Sequence, residues 1–297
     1  MELAEFGAIT SVVISRSGQI VFEQHLDGEP DSLRNTRSCT KTIVGSLLGI
    51  AIERGLVPGV ESRVTHLLGR ETGDLAKDAI TLRDLLTMSS CFECNDWDDA
   101  SAGNEERMYP ADDWVGFALG LPVRGTRGFS YCTAGVVCLG VALERALGEP
   151  LPDFAERELF APLGIDRWHW PLTPRGESSA AGGLELTTRA LHDLGRAHLE
   201  RRLVPSAWLD DAIAAQTRID AETEYGYLWW LRSFGGHRSV YMTGMGGNRV
   251  HLFPELDAVA VITTTNFGRR DAHALSDRLL VERLLPLVQC ARGLVKE

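Results

Sequence analysis

Lysine is the scarcest charged residue of this 297-residue chain: only Lys41, Lys77 and Lys296 stand among its 30 basic residues. The acidic residues number 41, so the formal net charge is -11 at pH 7. A surface of this sign repels phosphate backbones and anionic headgroups, and nucleic acid is therefore not an expected partner.

Long apolar runs and targeting features are also missing. No stretch reaches the roughly 20 apolar residues of a membrane span, and the first residues, Met1–Phe6, carry glutamates where a secretory signal needs positive charge. These absences predict a cytoplasmic protein without membrane contact. Because reducing compartments rarely keep disulfides, the six cysteines are expected to be free thiols.

The chain offers little for metal binding. Cys91 and Cys94 have the spacing of half a zinc site, but no second pair follows at a matching interval and the eight histidines are scattered. No metal or other cofactor is expected, and these cysteines are interpreted as structural.

No repeat, low-complexity segment or linker divides the chain, yet its pattern changes along its length. Two strand-like runs around a glycine turn, Ile9–Gln24, predict a hairpin. From about Cys39 to Ala215 the apolar residues recur with a helical period. Four strand-like stretches and a helix of about 272–287 then follow; the strand stretches are 225–230, 239–243, 249–253 and 258–264.

This order predicts an α+β fold in which both ends of the chain share one antiparallel sheet flanked by helices. Residues 1–297 are expected to form a single catalytic domain. Its α/β lobe comprises 1–38 and 220–297, its mainly helical lobe comprises 39–219, and the active site lies between the two lobes.

One lysine stands three residues after a serine, in the tetrad Ser38-Cys39-Thr40-Lys41 that opens an apolar helical run. Positions three apart share a helix face, so the two side chains can be neighbours. A desolvated lysine can lose its proton and activate a serine, which arginine cannot do. The alternative is that Ser38 caps the helix and Lys41 is solvated, and the tetrad alone leaves it open.

Two further stretches add polar groups to the tetrad. Tyr131, in a loop that opens a helix, could reach a serine–lysine pair, and a nearby ammonium would lower its pKa from about 10; it could instead be a core tyrosine. The strand Tyr241–Gly244 runs into glycines, where a substrate backbone could approach closely, although an ordinary strand end would look the same.

These stretches, in this order, resemble the penicillin-recognising serine hydrolases: class C β-lactamases, DD-peptidases and related esterases and amidases. The likeness spans nearly the whole chain and includes "SCTK", "YCT" and "YMTGMGG". It implies that Ser38 is acylated, with Lys41 as its activating partner and Tyr131 as general base and then acid. It further implies that the N–H groups of Ser38 and Met245 hold the oxyanion. The residues expected at the substrate are Thr133, Thr243, Gly244, Trp97 and Trp229.

Two departures from the family pattern bear on the substrate. Thr133 stands where the tyrosine motif usually ends in asparagine, and Met242 stands where a lysine or histidine is usual. Methionine cannot pair with a substrate carboxylate, so weak or absent β-lactamase activity and a neutral or apolar acyl group are expected. Arg249 could supply a substitute charge, but a strand arginine is expected to face solvent.

The surroundings of the cleft are predicted less directly. Trp97 lies in a loop that the family often places near the cleft mouth, and the neighbouring aspartates Asp96, Asp98 and Asp99 are interpreted as a solvated loop. The aromatic stretch 225–230 could form one pocket wall, with about half of its rings in the sheet core because strands alternate faces.

The predicted function is a serine hydrolase that cleaves a small-molecule ester, amide or lactam through acyl-Ser38. Two alternatives remain: an acyltransferase or amide-forming enzyme that uses the same intermediate, and a non-catalytic ligand-binding relative. Sequence does not indicate the oligomeric state.

Overall fold

The first and last strands of the described chain pair with each other as the second and third strands of one sheet. A computed structural model describes residues 1–125 and 128–290, without the side chain of Cys290; Lys296 and the rest of 291–297 lie outside the described residues. The sheet has eight antiparallel strands in the order β2-β1-β11-β10-β9-β8-β7-β6, and Val13 pairs with Val261. The predicted antiparallel sheet built from both ends is confirmed.

The strands follow the predicted hairpin and the late strand stretches closely. Tyr225–Trp230 is the exception, because it is split between two strands by Leu228, which has a left-handed φ of 61°. A small sheet, β3-β5-β4, lies apart. The strands are β1 Ile9–Arg16, β2 Gln19–His25, β3 Arg34–Asn35, β4 Trp168–His169, β5 Glu185–Leu186, β6 Thr217–Arg218, β7 Glu224–Tyr225, β8 Trp230–Phe234, β9 His237–Gly244, β10 Asn248–Phe253 and β11 Ala258–Thr264.

Along the chain, most of the helices come after the N-terminal hairpin β1–β2 and before the late strands β6–β11. The α-helices are α1 Cys39–Glu53, α2 Val64–Leu68, α3 Leu75–Asp78, α4 Leu82–Leu86, α5 Glu105–Met108, α6 Trp114–Gly120, α7 Thr133–Leu147, α8 Leu151–Ala155, α9 Thr188–Leu199, α10 Ser206–Ala212, α11 Ala272–Leu279 and α12 Leu285–Cys290. Short π-helical segments, 156–160 and 280–284, follow α8 and α11. No helix in 1–125 or 128–290 is long and apolar enough to cross a membrane.

The large sheet is buried on both faces. Side chains alternate along a strand, so Val259 and Val261 of β11 join the core shared with the helical region, while Ala260 and Ile262 pack under the C-terminal helices. Helix α9 packs on β1, β10 and β11, although it falls within the predicted helical lobe. Gly195 permits this contact, since a Cβ there would lie 3.0 Å from Val250 and Val259.

The start of α1 therefore lies between the sheet and the remaining helices. Helix α1 is buried from Cys39 to Ala51 and contacts β9 and β10 on one side and α7 on the other. Helix α7 is likewise buried over Thr133–Leu143, at the centre of the helical region. The N-termini of these two buried helices carry the two helix motifs recognised in the sequence.

Candidate active site

Ser38 precedes the first residue of α1, but its side chain makes no capping hydrogen bond. The residue before it, Arg37, has a left-handed φ of 52°, and its guanidinium lies 4.0 Å from the ring centre of Phe267. A non-glycine residue in this region of φ costs about 1–3 kcal/mol and persists only where neighbouring contacts hold it. The turn at Arg37 thus presents Ser38 at the helix start, and the interpretation of Ser38 as a cap is wrong.

Lys41 lies beneath Ser38 and is only 2% exposed. Its Nζ donates to Ser38 Oγ at 3.0 Å and also to the carbonyl oxygen of Ala181. Burial lowers the pKa of the Lys41 amine, while the charges of Glu105 and Asp96 oppose that shift. The amine loses its proton more readily than a solvated lysine, so it can accept the proton of Ser38.

Tyr131 also contacts Ser38. Its phenol forms a hydrogen bond with Ser38, and its ring centre lies 5.5 Å from Lys41 Nζ. The expected lowering of the Tyr131 pKa is wrong, because burial raises that pKa more than the bond to Ser38 lowers it. A phenol of this kind keeps its proton at neutral pH and can donate it.

The neighbouring Cys39 does not compete with Ser38 as a nucleophile. Its thiol is buried, and burial raises its pKa to about 12. A thiol reacts through its thiolate, which is scarce at neutral pH under these conditions.

The end of β9 closes the site from the sheet side. Gly244 is required there, because a Cβ would lie 2.4 Å from the carbonyl oxygen of Thr36, just before the nucleophile. Thr243 and Met245 line the cleft on either side of this glycine, and Met245 is 42% exposed. Met242 is fully buried in the core and does not line the cleft.

Two cavities meet at Ser38. One has a volume of about 390 Å³ and contains the aromatic and strand residues, and the other has about 210 Å³ and lies toward α6 and 171–183. Ser38, Glu105 and Met245 line both. A substrate can therefore extend in two directions from the nucleophile.

Trp97 lies at the mouth of the larger cavity, as expected, and is 59% exposed. Its ring stacks on Tyr131 with centres 5.7 Å apart and 3° between planes, and Trp230 lies 5.8 Å from Tyr131. The prediction that Trp229 contacts the substrate is wrong, because Trp229 is buried and lines a separate apolar cavity beside His198. Consecutive side chains face opposite ways here, so Trp230 takes the place in the cleft.

Thr133 is fully buried at the start of α7 and lines neither cavity, so the structure does not support a substrate contact there. Its N–H donates to Asp96 Oδ2 at 2.7 Å, and the N–H of Glu105 donates to Asp96 Oδ1 at 2.9 Å. The interpretation of Asp96 as a solvated residue is wrong, since it lies in the cleft wall. Burial, and next the charge of Glu105, raise its pKa to about 6.

Arg249 also differs from expectation. It pairs in register with Thr243 of β9, so both side chains share the face that lines the cleft. Arg249 is 6% exposed rather than solvated, and its guanidinium lies 3.4 Å from a carboxylate oxygen of Asp277. The sequence pattern located the strand but not the direction of this side chain.

Cys94 and Cys132 form a disulfide, so the expectation of free thiols is wrong for this pair. Their Cα atoms are 5.4 Å apart, within the range that a disulfide spans. The bond joins the segment carrying Asp96 and Trp97 to the residue after Tyr131. Cys39 and Cys138 are buried free thiols, and Cys91 is also buried.

Comparison with protein families assigns the chain. The family model described as Beta-lactamase matches residues 7–283. The chain belongs to the β-lactamase family. The predicted family and its α+β fold are thereby confirmed, and membership supports a hydrolase of the β-lactamase kind. No curated protein matches this β-lactamase-family chain.

Solved structures share its fold at low sequence identity. A Bacillus anthracis protein, described provisionally as a 6-aminohexanoate-dimer hydrolase, aligns with a TM-score of 0.82 and 16% identity over 99% of this chain and 82% of its own. An octameric penicillin-binding protein homologue from Pyrococcus abyssi aligns with a TM-score of 0.74 and 19% identity over 98% of this chain and 78% of its own. The D-amino acid amidase from Ochrobactrum anthropi SV3 aligns with a TM-score of 0.71 and 17% identity over 92% of this chain and 95% of its own.

Glu105 is a cleft residue of this β-lactamase-family protein that the sequence did not predict, and His273 is another. Glu105 begins α5, lines both cavities and accepts a hydrogen bond from the hydroxyl of Tyr109 at 2.7 Å. The only sequence signal is its position directly after the helix cap Asn104, which predicts a helix start and not a place in a cleft.

Proposed function

We propose that this protein is a serine hydrolase that cleaves an ester or amide bond of a small molecule through an acyl-Ser38 intermediate. The observation that carries the proposal is the contact between Ser38 Oγ and a buried lysine amine at 3.0 Å, with the phenol of Tyr131 also bonded to Ser38. A non-catalytic relative would have no need to keep an amine desolvated beneath a serine, because burial of such a group is costly.

In acylation, the neutral amine of Lys41 accepts the proton of Ser38 as Oγ attacks the substrate carbonyl. The N–H groups of Ser38 and Met245 stabilise the oxyanion of the tetrahedral intermediate. The Tyr131 phenol donates its proton to the leaving group as the carbonyl–leaving-group bond breaks, and it recovers a proton from the Lys41 ammonium. Water then attacks the acyl carbon and releases Ser38 with its proton restored.

The cleft walls favour an extended substrate over a β-lactam. Met242 supplies no charge, and Arg249, which occupies the cleft face beside Thr243, is already paired with Asp277. The two cavities extend on both sides of Ser38. Two of the proteins with this fold are described as a 6-aminohexanoate-dimer hydrolase, provisionally, and a D-amino acid amidase, which agrees with an amide or ester substrate.

A substrate panel tests the proposal. The purified protein is labelled with a fluorophosphonate probe and assayed with nitrophenyl esters, nitroanilides and a chromogenic β-lactam. We expect labelling and turnover that both disappear in Ser38→Ala, with the β-lactam as the poorest substrate. Labelling that persists in Ser38→Ala would overturn the assignment of the nucleophile.

A further inference from the structure

The helical side of the cleft carries two carboxylates that form no ion pair within residues 1–125 and 128–290. Asp96 is held in place, because both of its oxygens accept backbone N–H groups. Glu105 accepts only the Tyr109 hydroxyl, through one oxygen, and it lines both cavities. The Glu105 carboxylate is thus oriented and still has acceptor positions free for a ligand.

The cationic groups that line the two cavities form no ion pair with these carboxylates among the described residues. Arg37 packs on the ring of Phe267, and burial lowers the pKa of His273 to about 3, so that imidazole is neutral. The guanidinium of Arg249 is paired with Asp277. Lys41 is engaged with Ser38 and the carbonyl of Ala181. The helical wall of the cleft therefore carries two carboxylates without a direct ion-pair partner among the described residues.

A second observation indicates that the cavity accommodates a ligand. The Nε of Arg249 is buried against the cleft and has no hydrogen-bond partner among the described residues. The ion pair with Asp277 uses the Nη2 of Arg249. A buried guanidinium N–H is normally paired, so the free Nε–H marks a position for a neutral acceptor of a ligand, such as a carbonyl oxygen. Asp96, Glu105 and Arg249 line the same cavity.

Aromatic rings line the space between the two walls. Trp97, Tyr131 and Trp230 pack within 6.2 Å of one another, centre to centre. Indole and phenol faces attract a cation within about 6 Å and also cover methylene groups. An alkyl chain that ends in an ammonium matches both properties, whereas a plain alkyl chain would leave the carboxylates without a partner.

We propose that the cleft recognises a primary ammonium group of the substrate, with Glu105 as its ion-pair partner. The natural substrate is then an ester or amide whose acyl or leaving group carries an amine, and an oxygen of the same molecule contacts Arg249. This inference rests on the proposed function for the chemistry at Ser38. Recognition of the ammonium itself requires only the cavity and its walls.

Binding without chemistry tests the inference. Ser38→Ala protein is titrated with 6-aminohexanamide and with heptanamide, which differ only in an ammonium replacing a methyl group, and the affinities are measured by calorimetry. A charged hydrogen bond in a partly buried site corresponds to about 10- to 100-fold in affinity. We expect the amine ligand to bind more tightly by that factor, and equal affinities would overturn the proposal.

Matched variants assign the preference to one residue. Added to Ser38→Ala, Glu105→Gln should reduce the preference to less than about threefold, because the amide keeps the shape and loses the charge. Glu106→Gln, an exposed neighbour outside both cavities, should leave it unchanged. An unchanged preference in Glu105→Gln would contradict the role of this residue.

The 4-nitrophenyl esters of 6-aminohexanoate and heptanoate separate this inference from the proposed function. A binding preference without Ser38-dependent turnover of either ester would refute the hydrolase and keep the ammonium site. Turnover of both esters with equal kcat/KM, together with equal amide affinities, would keep the hydrolase and refute the ammonium site.

Discussion

Breaking the disulfide between Cys94 and Cys132 should destabilise the protein and impair the site together. The bond closes a loop with a sequence separation of 38 residues. In the chain-entropy description, a loop of that length corresponds to about 4 kcal/mol of stabilisation through restriction of the unfolded chain. The double variant Cys94→Ser/Cys132→Ser removes this restriction. It also keeps a cap acceptor for α7, since Cys132 Sγ accepts the N–H of Gly135 and a serine hydroxyl can do the same.

The assay is urea unfolding followed by tryptophan fluorescence. With an ordinary dependence of the unfolding free energy on urea, a loss of about 4 kcal/mol of that free energy lowers the urea concentration at the unfolding midpoint by about 1–2 M. Because Tyr131 adjoins Cys132 and Asp96 lies two residues after Cys94, a displacement of this segment should also slow ester turnover by about 10- to 100-fold. Reductant should shift wild-type protein in the same direction and leave the double variant unchanged.

Thiol titration in denaturant tests the premise. Two additional thiols should react after reduction. An equal thiol count before and after reduction, or an unfolding midpoint that neither reductant nor the double substitution changes, would refute this account.

Three further predictions concern the catalytic lysine, the strand end and the cleft carboxylate. Lys41→Met should lower ester kcat by about 10²- to 10⁴-fold without lowering the unfolding free energy, because it removes a desolvated amine; a destabilised variant in urea would contradict this. Gly244→Ala should lower the free energy of unfolding by about 1–3 kcal/mol and abolish most of the activity, since its Cβ meets a backbone oxygen at 2.4 Å. The control Gly120→Ala, on an open helix surface, should lower neither the free energy of unfolding nor the activity. Asp96 has a folded-state pKa of about 6 against an ordinary 3.8. Its protonated form therefore stabilises the fold fully below about pH 4, and this stabilisation of roughly 3 kcal/mol is lost as the pH rises through 6. Unfolding curves of Asp96→Asn between pH 4 and 7 should lack that decline, and an identical decline in the variant would argue against the raised pKa.

The fold was predictable because its signals are local. The hairpin at Ile9–Gln24, the late strands and the buried helices α1 and α7 each follow from residues adjacent in the chain. The tetrad also placed Ser38 and Lys41 on one helix turn, where the structure brings Oγ and Nζ into contact. Helical spacing alone is sufficient for that inference.

The parts that could not be predicted depend on pairs distant in sequence. Asp96 is half-buried in the cleft wall, where Thr133, on another element, donates to it. Arg249 faces the cleft because its register with Thr243 fixes its face of the sheet. Trp229 and Trp230 exchange roles for a similar reason: alternation predicts that one faces the cleft, but the start of β8 decides which one.

The acyl-enzyme itself provides the most direct test of the central claim. Protein mixed with a slowly deacylating nitrophenyl ester is quenched with acid, weighed intact by mass spectrometry and mapped by proteolysis. The account predicts one added acyl group, located on Ser38, that forms far more slowly in Lys41→Met. An adduct on another residue, or ester turnover that continues at the wild-type rate in Ser38→Ala, would contradict it.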